Sequence, residues 1–421
     1  MNKVLIITYY WPPGSGAGVQ RWLKFSKYLP EYGWEPVILT VDPEYAVYPA
    51  HDTSLEKNLP AEIKVHRTKA TNWFRIYSRD KSKIPSAGFA KNKDNSFKGK
   101  ILRFIRGNMF IPDPRKGWNK YAFKKAIEII ENEKISHIIT TSPPHSTQLI
   151  GLNLKKKFPD IKWIADLRDP WTDIYYYNQF YPTLISRLID RALEIKVLKS
   201  SDQIITVGNS LKDLFVSKSP GIEEKIEVIT NGYDEEDFKG SIDINPDKFT
   251  ISYIGTLSDA YPVNGFLAAF EKFRDEGNDF LFRLVGTVSS DQKEKILEKT
   301  GIENVEFIPY VNHHEAINYM MSSTILLLVI PDHHSNKSIL TGKLFEYLAS
   351  GKSVLCLGPA DGDAAMIISE SGAGKTFGYN DSKSIVFYLN ELVNGFKRPP
   401  ATTINRFSRT ELTKHLATII K

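Results

Sequence analysis

The chain has 421 residues, 42% hydrophobic and 25% charged, which suits two globular domains of roughly 200 residues and excludes a disordered or low-complexity chain. Its one cysteine, Cys356, excludes an internal disulfide framework and fits a reducing cytoplasm. The net charge of +6 hides an asymmetry: Lys64 to Lys125 holds 18 bases against three acids, so the remainder is acidic and the basic stretch points to an anionic partner.

Strand signals alternate with helical patterns along the whole length, which predicts parallel sheets flanked by helices. In the first half, strands are expected at Val4–Thr8, Pro36–Thr40, Ile63–His66, His137–Thr140, Trp163–Leu167 and Gln203–Val207. In the second half they fall at Ile226–Ile229, Thr250–Gly255, Phe280–Gly286, Val305–Ile308, Ile325–Ile330 and Ser353–Leu357. Six and six give two doubly wound lobes. The N-terminal apolar run ends at Tyr-Tyr-Trp-Pro-Pro without a small-residue cleavage site, so it reads as a first strand and not a signal peptide. No apolar run approaches the ~18 residues of a membrane span.

After the first strand comes Gly14-Ser15-Gly16-Ala17-Gly18, leading into a helix. Small residues there let a ligand approach the backbone closely, and a plain turn is the competing reading. Residues 73–118 break the alternation by mixing aromatics with Lys and Arg, and Lys100 to Pro112 has the pattern of a short basic amphipathic helix. It either packs on its own lobe or lies on an anionic membrane leaflet. No nucleic-acid module accompanies the charge. His145 follows the fourth strand, and Asp166, Arg168 and Asp169 lie at the end of the fifth. Carboxyl ends of parallel strands are where such sheets hold ligands, so these four are candidate catalytic residues.

The lobe boundary is expected just after Val207. Gly255 ends a strand ahead of Thr256, as a nucleotide-facing loop would, but Leu257 to Asn264 contains no base. Then comes Ser338-Ile339-Leu340-Thr341-Gly342-Lys343-Leu344-Phe345-Glu346-Tyr347-Leu348-Ala349, a loop entering a helix that Gly351 closes. Thr341 to Lys343 form a helix N-terminus, where free N–H groups and the dipole attract phosphate. Lys343 would meet a diphosphate, and Glu346, one turn deeper, would accept hydrogen bonds from a ribose diol. The competing reading is a surface ion pair between the two. Gly372 to Thr376 lacks the leading glycine of a phosphate loop, Asp361-Gly362-Asp363 reads as a turn, and no metal site is expected.

At the Lys343 to Lys352 run the chain resembles the family 4 (group 1) glycosyltransferases, in the variant found in a polysaccharide-building branch. These enzymes have the GT-B fold, two Rossmann-like lobes with an interlobe cleft, and a Glu-x7-Glu signature. Glu346 matches the second Glu, which implies a grip on the donor ribose; the first falls on Ser338. Asn231-Gly232-Tyr233-Asp234 resembles a turn of the same family. The resemblance implies an N-terminal acceptor-side lobe at 1–207, a donor lobe at 208–403 and a helix at 404–421 returning to the first lobe. It further implies a nucleotide-diphosphate sugar as donor, no metal or cofactor, retention, and a glycan or lipid-linked acceptor. The donor site would comprise Gly16, Ala17, Gly18, Gly255, Thr256, Ser338, Thr341, Gly342, Lys343, Leu344 and Glu346, and His145 would contact the transferred sugar. The basic stretch would hold the protein on the inner face of the cell membrane. A nucleotide-sugar 2-epimerase of the same fold and a degenerate donor-binding protein are the alternative readings.

Overall fold

The computed structural model describes residues 1–48, 51, 52, 55, 60, 62–73, 96–240, 246, 248–393, 395 and 401–421. The chain forms two compact units. The first runs to Thr230 and takes back Arg409–Lys421, and the second is formed by Asn231–Ser408.

In the first unit the strands are β1 (Asn2–Ile7), β2 (Trp34–Val41), β3 (Lys64–Thr68), β4 (His137–Ser142), β5 (Lys162–Leu167), β6 (Gln203–Thr206) and β7 (Ile226–Val228). They form one sheet in the order β3-β2-β1-β4-β5-β6-β7, and every pairing is parallel. Its helices are α1 (Ala17–Tyr28), α2 (Phe97–Met109), α3 (Asn119–Glu133), α4 (Ser146–Lys157), α5 (Leu184–Ser200) and α6 (Asn209–Lys218). In the second unit, β8 (Phe249–Ile254), β9 (Phe280–Val285), β10 (Val305–Ile308), β11 (Ile325–Val329), β12 (Ser353–Leu357) and β13 (Gly374–Phe377) form an all-parallel sheet in the order β10-β9-β8-β11-β12-β13. Its helices are α7 (Asn264–Asp275), α8 (Ser290–Thr300), α9 (His313–Met321), α10 (Gly342–Ala349), α11 (Asp363–Ser371), α12 (Ser382–Val393) and α13 (Ala401–Asn405), after which α14 (Arg409–Ile420) rejoins the first unit.

Central strands read as unbroken apolar runs because helices cover both faces of a parallel sheet. Val4 to Ile7 in β1 and Ile325 to Leu328 in β11 are completely buried. Leu412, Leu416, Ala417 and Ile420 of α14 join the first core, beside Trp22 and Phe25.

The expected count of six and six strands becomes seven and six. Ile226 to Val228 pairs with β6, so it extends the first sheet instead of opening the second, and the first unit continues past Val207 to Thr230. Gly374 to Phe377, which overlaps the Gly372 to Thr376 run set aside in the sequence as a false phosphate loop, pairs with β12. Its Gly374 has no room for a side chain, since a Cβ would stand 1.9 Å from the Val354 carbonyl oxygen. Residues 74–95 of the basic stretch lie outside the described residues; α2 follows them, beginning at Phe97 with Ser96 Oγ accepting from the Gly99 N–H at 3.1 Å, and Pro114–Trp118 form a 3-10 turn.

Candidate functional site

Strand order reverses beside β1 and β4 in the first sheet and beside β8 and β11 in the second. At such points the loops diverge to opposite faces and leave a crevice at the carboxyl ends of the strands. The candidate residues of each unit gather around these ends.

In the second unit, β8 is followed by Gly255 and β9 by Gly286, with φ of 125° and 123°, values that favour glycine. The two turns touch: a Cβ on Gly286 would stand 2.4 Å from the Gly255 carbonyl oxygen. They remain in register beyond the strands, because the Leu257 N–H donates to Thr287 O at 2.8 Å and the Ser289 N–H to Leu257 O at 3.0 Å. Beyond Gly286 lies an open pocket of about 260 Å³ lined by Gly286, Thr287, Val288, Lys293 and Phe307 to Tyr310. No motif in the sequence marks this pocket, since its walls are the turn after β9 and the end of β10, made of backbone and common side chains.

Lys343 reaches the same place from α10. Its ammonium donates to Tyr253 Oη at 3.0 Å and lies 4.2 Å from that ring's centre. A Cβ on Gly255 would be only 3.2 Å from Lys343 Nζ, so the glycine both permits the turn and makes room for the cation. Burial pushes the Lys343 pKa down, against the opposing pull of Tyr347 and Glu346. Tyr347 Oη accepts from the Ile254 N–H at 3.1 Å and fixes α10 against β8; burial raises the Tyr347 phenol to about 12.

The N-terminus of α10 has no side-chain cap, and Thr341 Oγ1 is buried without a hydrogen-bond partner. Gly342 faces open space. Glu346 lies half-buried one turn on, between the fully buried Phe345 and Tyr347. Two expected contacts change. Leu344 is fully buried in the core and its N–H donates to Thr341 O at 3.2 Å, so its side chain cannot line a ligand site. Ser338 Oγ donates to Ser335 O at 3.2 Å, within its own turn. Thr256 is exposed, and its carbonyl accepts from Tyr253 Oη at 2.8 Å.

In the first unit the loop after β1 enters α1 at Gly16, whose φ of 99° again favours glycine and whose missing side chain faces open space. Ala17 opens the helix, and Gly18 lies 3.5 Å, at its would-be Cβ, from the Tyr10 ring. The Gly18 carbonyl accepts from Arg168 Nη1 at 3.4 Å, and Arg168 Nε donates to Ser142 O at 3.0 Å. Arg168 thus straps the glycine loop to the end of β4 and is 9% exposed.

Asp166 departs from the catalytic role expected of it. It is completely buried and accepts from Arg21 Nη2 at 3.1 Å, Trp22 Nε1 at 2.7 Å and Thr141 Oγ1 at 2.8 Å. A carboxylate so enclosed and so well satisfied ties α1 to the sheet and does not meet a substrate. Arg21, also fully buried, is committed to the same pair.

His145 precedes α4 and stacks on Trp171, with ring centres 4.9 Å apart and planes at 15°. Its Nδ1 is buried without a hydrogen-bond partner, and burial, with Lys218 and Arg168 nearby, lowers its pKa to about 3. The ring is therefore neutral at physiological pH, suited to hydrogen bonding and not to delivering a proton. Asp169 is half-buried and its carboxyl is raised chiefly by burial, against the pull of Arg168. Sequence reasoning missed Asp113, whose Oδ2 accepts from the Ser146 N–H at 2.8 Å and so caps the start of α4. It also missed Arg115, whose guanidinium lies 5.5 Å from the Tyr10 ring centre.

Among the described residues no helix is long and apolar enough to cross a membrane, and no group of three His, Cys, Asp or Glu side chains is placed to hold a metal ion.

Comparison with known proteins fits this architecture. The described fold resembles a glycosyltransferase from Rickettsia africae at 15% identity and a TM-score of 0.59, covering 100% of this chain and 98% of that one. It also resembles Anabaena Alr3699/HepE, solved in complex with UDP, at 12% identity and a TM-score of 0.61 over 99% of both chains. The apo lipopolysaccharide outer core galactosyltransferase WaaB matches at 13% identity and a TM-score of 0.59, covering 100% of this chain and 99% of that one. No curated protein matches the chain by sequence. The family model for glycosyl transferases group 1 matches residues 234–399 and that for glycosyltransferase family 4 matches residues 18–237, more than half of the chain. With two doubly wound parallel-sheet units of the GT-B fold and both family models in chain order, the protein belongs to glycosyltransferase family 4.

Proposed function

We propose that this enzyme moves a hexosyl unit from a nucleotide-diphosphate donor to a glycan or lipid-linked acceptor, with retention of configuration, in the building of a cell-surface polysaccharide. The observation that carries the donor half is Lys343 Nζ, held against Tyr253 beside the Gly255 turn and next to the uncapped start of α10. A cation, free helix N–H groups and the orphaned Thr341 hydroxyl form a preorganised electrostatic site for a departing diphosphate. The pocket beyond Gly286 accommodates the base, and Glu346 takes the ribose diol.

In the first unit, the Gly16 to Gly18 loop offers close backbone approach, the neutral His145 ring can hydrogen-bond a sugar hydroxyl, and Asp169 is the titratable group left at the strand ends once Asp166 is assigned to the core. Arg168 acts through the glycine loop that it fastens. The acid-free sequence of α2 supports attachment of the basic stretch to an anionic membrane surface.

The test is a panel of nucleotide sugars assayed with purified protein for binding and for slow hydrolysis. One donor bound and hydrolysed with retained configuration supports the reading. Release of a free sugar epimerised at C2 establishes the epimerase, and tight binding without turnover establishes a degenerate enzyme, the reading that Ser338 in place of a glutamate favours.

A further inference from the structure

The side of α5 that faces solvent carries large apolar residues where a soluble helix has polar ones. Leu184, Ile185, Leu188 and Ile189 are 72%, 71%, 60% and 47% exposed, and their spacing places them on one face. The acids of this helix point inward. Asp190 accepts from Trp171 Nε1 at 2.7 Å and Tyr177 Oη at 3.0 Å, and Glu194 accepts from Lys218 Nζ and Thr172 Oγ1, each at 2.6 Å. Both acids are buried, and the exposed charges of α5 are Arg187, Arg191, Lys196 and Lys199, all cations.

This face continues onto α2. Asn108 Nδ2 donates to Tyr181 O at 3.0 Å, while its Oδ1 accepts from the Thr183 N–H at 2.7 Å and Ser186 Oγ at 2.8 Å, so the end of α2 is fastened to the start of α5. Gly107 lets the two approach: a Cβ there would stand 2.2 Å from Phe180 O. On α2, Phe97, Ile101 and Phe104 are exposed at helical spacing on the side that Asn108 shares. Residues 97–109 include Lys98, Lys100, Arg103 and Arg106 and no acid.

We propose that the joined outer faces of α2 and α5 seat on an anionic lipid bilayer. The apolar side chains enter the acyl boundary while the flanking cations meet headgroup phosphates. The inference rests on the membrane reading of the basic stretch and enlarges the apolar face of α2 with one supplied by a helix about 70 residues later in the chain. The sign of the charge selects the occupant. A two-fold contact with a second copy would set this face, which carries no exposed acid on α2 or α5, against itself, cation against cation, whereas an anionic leaflet complements it.

The experiment is vesicle flotation of the full chain with neutral and anionic phosphatidylcholine/phosphatidylglycerol vesicles, at low salt and at about 1 M salt, where the Debye length is ~3 Å. The wild type is expected on anionic vesicles, with part of the binding persisting at high salt because apolar insertion is not screened. Serine at Leu184, Ile185, Leu188 and Ile189 together should lower binding roughly tenfold or more and abolish the salt-resistant part. Gln at Lys98, Lys100, Arg187 and Arg191 should remove the preference for anionic lipid. Donor hydrolysis should be unchanged in both variants, which shows that they fold. If the serine variant floats as the wild type does while the Gln variant does not, the insertion face is wrong and the charge-only membrane reading stands. If the wild type floats with neither vesicle, both fall. A sedimentation coefficient showing a wild-type dimer that the serine variant dissociates, with flotation unchanged, would assign the face to a second copy.

Discussion

Lys343 and Glu346 lie one turn apart on α10 yet are assigned to different parts of one donor, so their variants should fail differently. The donor leaves as a dianion or more, and a helix N-terminus supplies only about half a unit charge. Three other bases are already engaged: Arg21 is buried against Asp166, Arg283 Nε donates to Glu306 at 2.8 Å, and Lys337 pairs with Asp361. Lys343→Met keeps most of the stem and removes the charge. Turnover should fall roughly 10²–10³-fold with nucleoside binding little changed, measured by steady-state kinetics and calorimetry. Near-normal turnover would place the diphosphate's counter-charge elsewhere. Glu346→Gln should instead weaken nucleoside and nucleotide sugar alike by about 1–2 kcal/mol, because a neutral amide is a poorer acceptor for two hydroxyls. Calorimetry showing unchanged affinity would leave Glu346 a structural residue.

At the scale of elements, α14 is the clearest case of a segment whose stability depends on residues distant in sequence. It is only 12 residues long, too short to persist alone in water. Leu416 and Ile420 are completely buried within the first core, and the Arg409 guanidinium lies 5.5 Å from the Phe25 ring centre. Leu416→Ala should cost about 2–5 kcal/mol through lost burial and the cavity left behind. Lys414→Ala, on the exposed side of the same helix, should stay within about 0.5 kcal/mol. Urea melts of the two variants check this, and equal midpoints would mean that α14 is not part of the first core. The pairing of Tyr253 with Lys343 and of Tyr347 with the Ile254 N–H shows the same logic in the second unit: two tyrosine hydroxyls, one of them holding the Lys343 ammonium, set α10 at the end of β8.

For the molecule as a whole, pH links the candidate site to stability. His145 has a folded pKa of about 3 against an ordinary 6.5, so between these values the unfolded chain binds the extra proton. Its contribution is complete above about pH 6.5 and is lost as pH falls toward 3. Asp190 works in the opposite sense. Burial raises it from 3.8 to about 6, so its contribution is present below 3.8 and lost as pH rises through 6. His145→Gln should therefore flatten or invert the acid limb of the stability curve between about pH 4 and 6.5. The slope is the readout, because losing the stack on Trp171 lowers stability at every pH. Thermal melts across that range decide it, and an unchanged slope would mean that His145 is not held neutral by the fold.

The sequence alone determined what depends on local pattern. Unbroken apolar runs such as Ile325 to Ile330 announced buried parallel strands, and Gly351, with φ of 68°, announced the end of α10, because strand burial and left-handed turns constrain residue type at the position itself. Lys343 and Glu346 stood out from local pattern too, a cation at a helix N-terminus and a carboxylate one turn deeper. Tertiary structure decided whatever depends on partners distant in the chain. Ile226 to Val228 looks alike whichever sheet it joins, and only its pairing with β6 assigns it. Asp166 reads as a strand-end carboxylate in a promising motif, yet Arg21, Trp22 and Thr141 enclose it from segments that no spacing connects. The outer face of α5 was invisible for the converse reason: its pattern of apolar and acidic residues is that of any amphipathic helix, and only the fold shows that the acids are the side turned in.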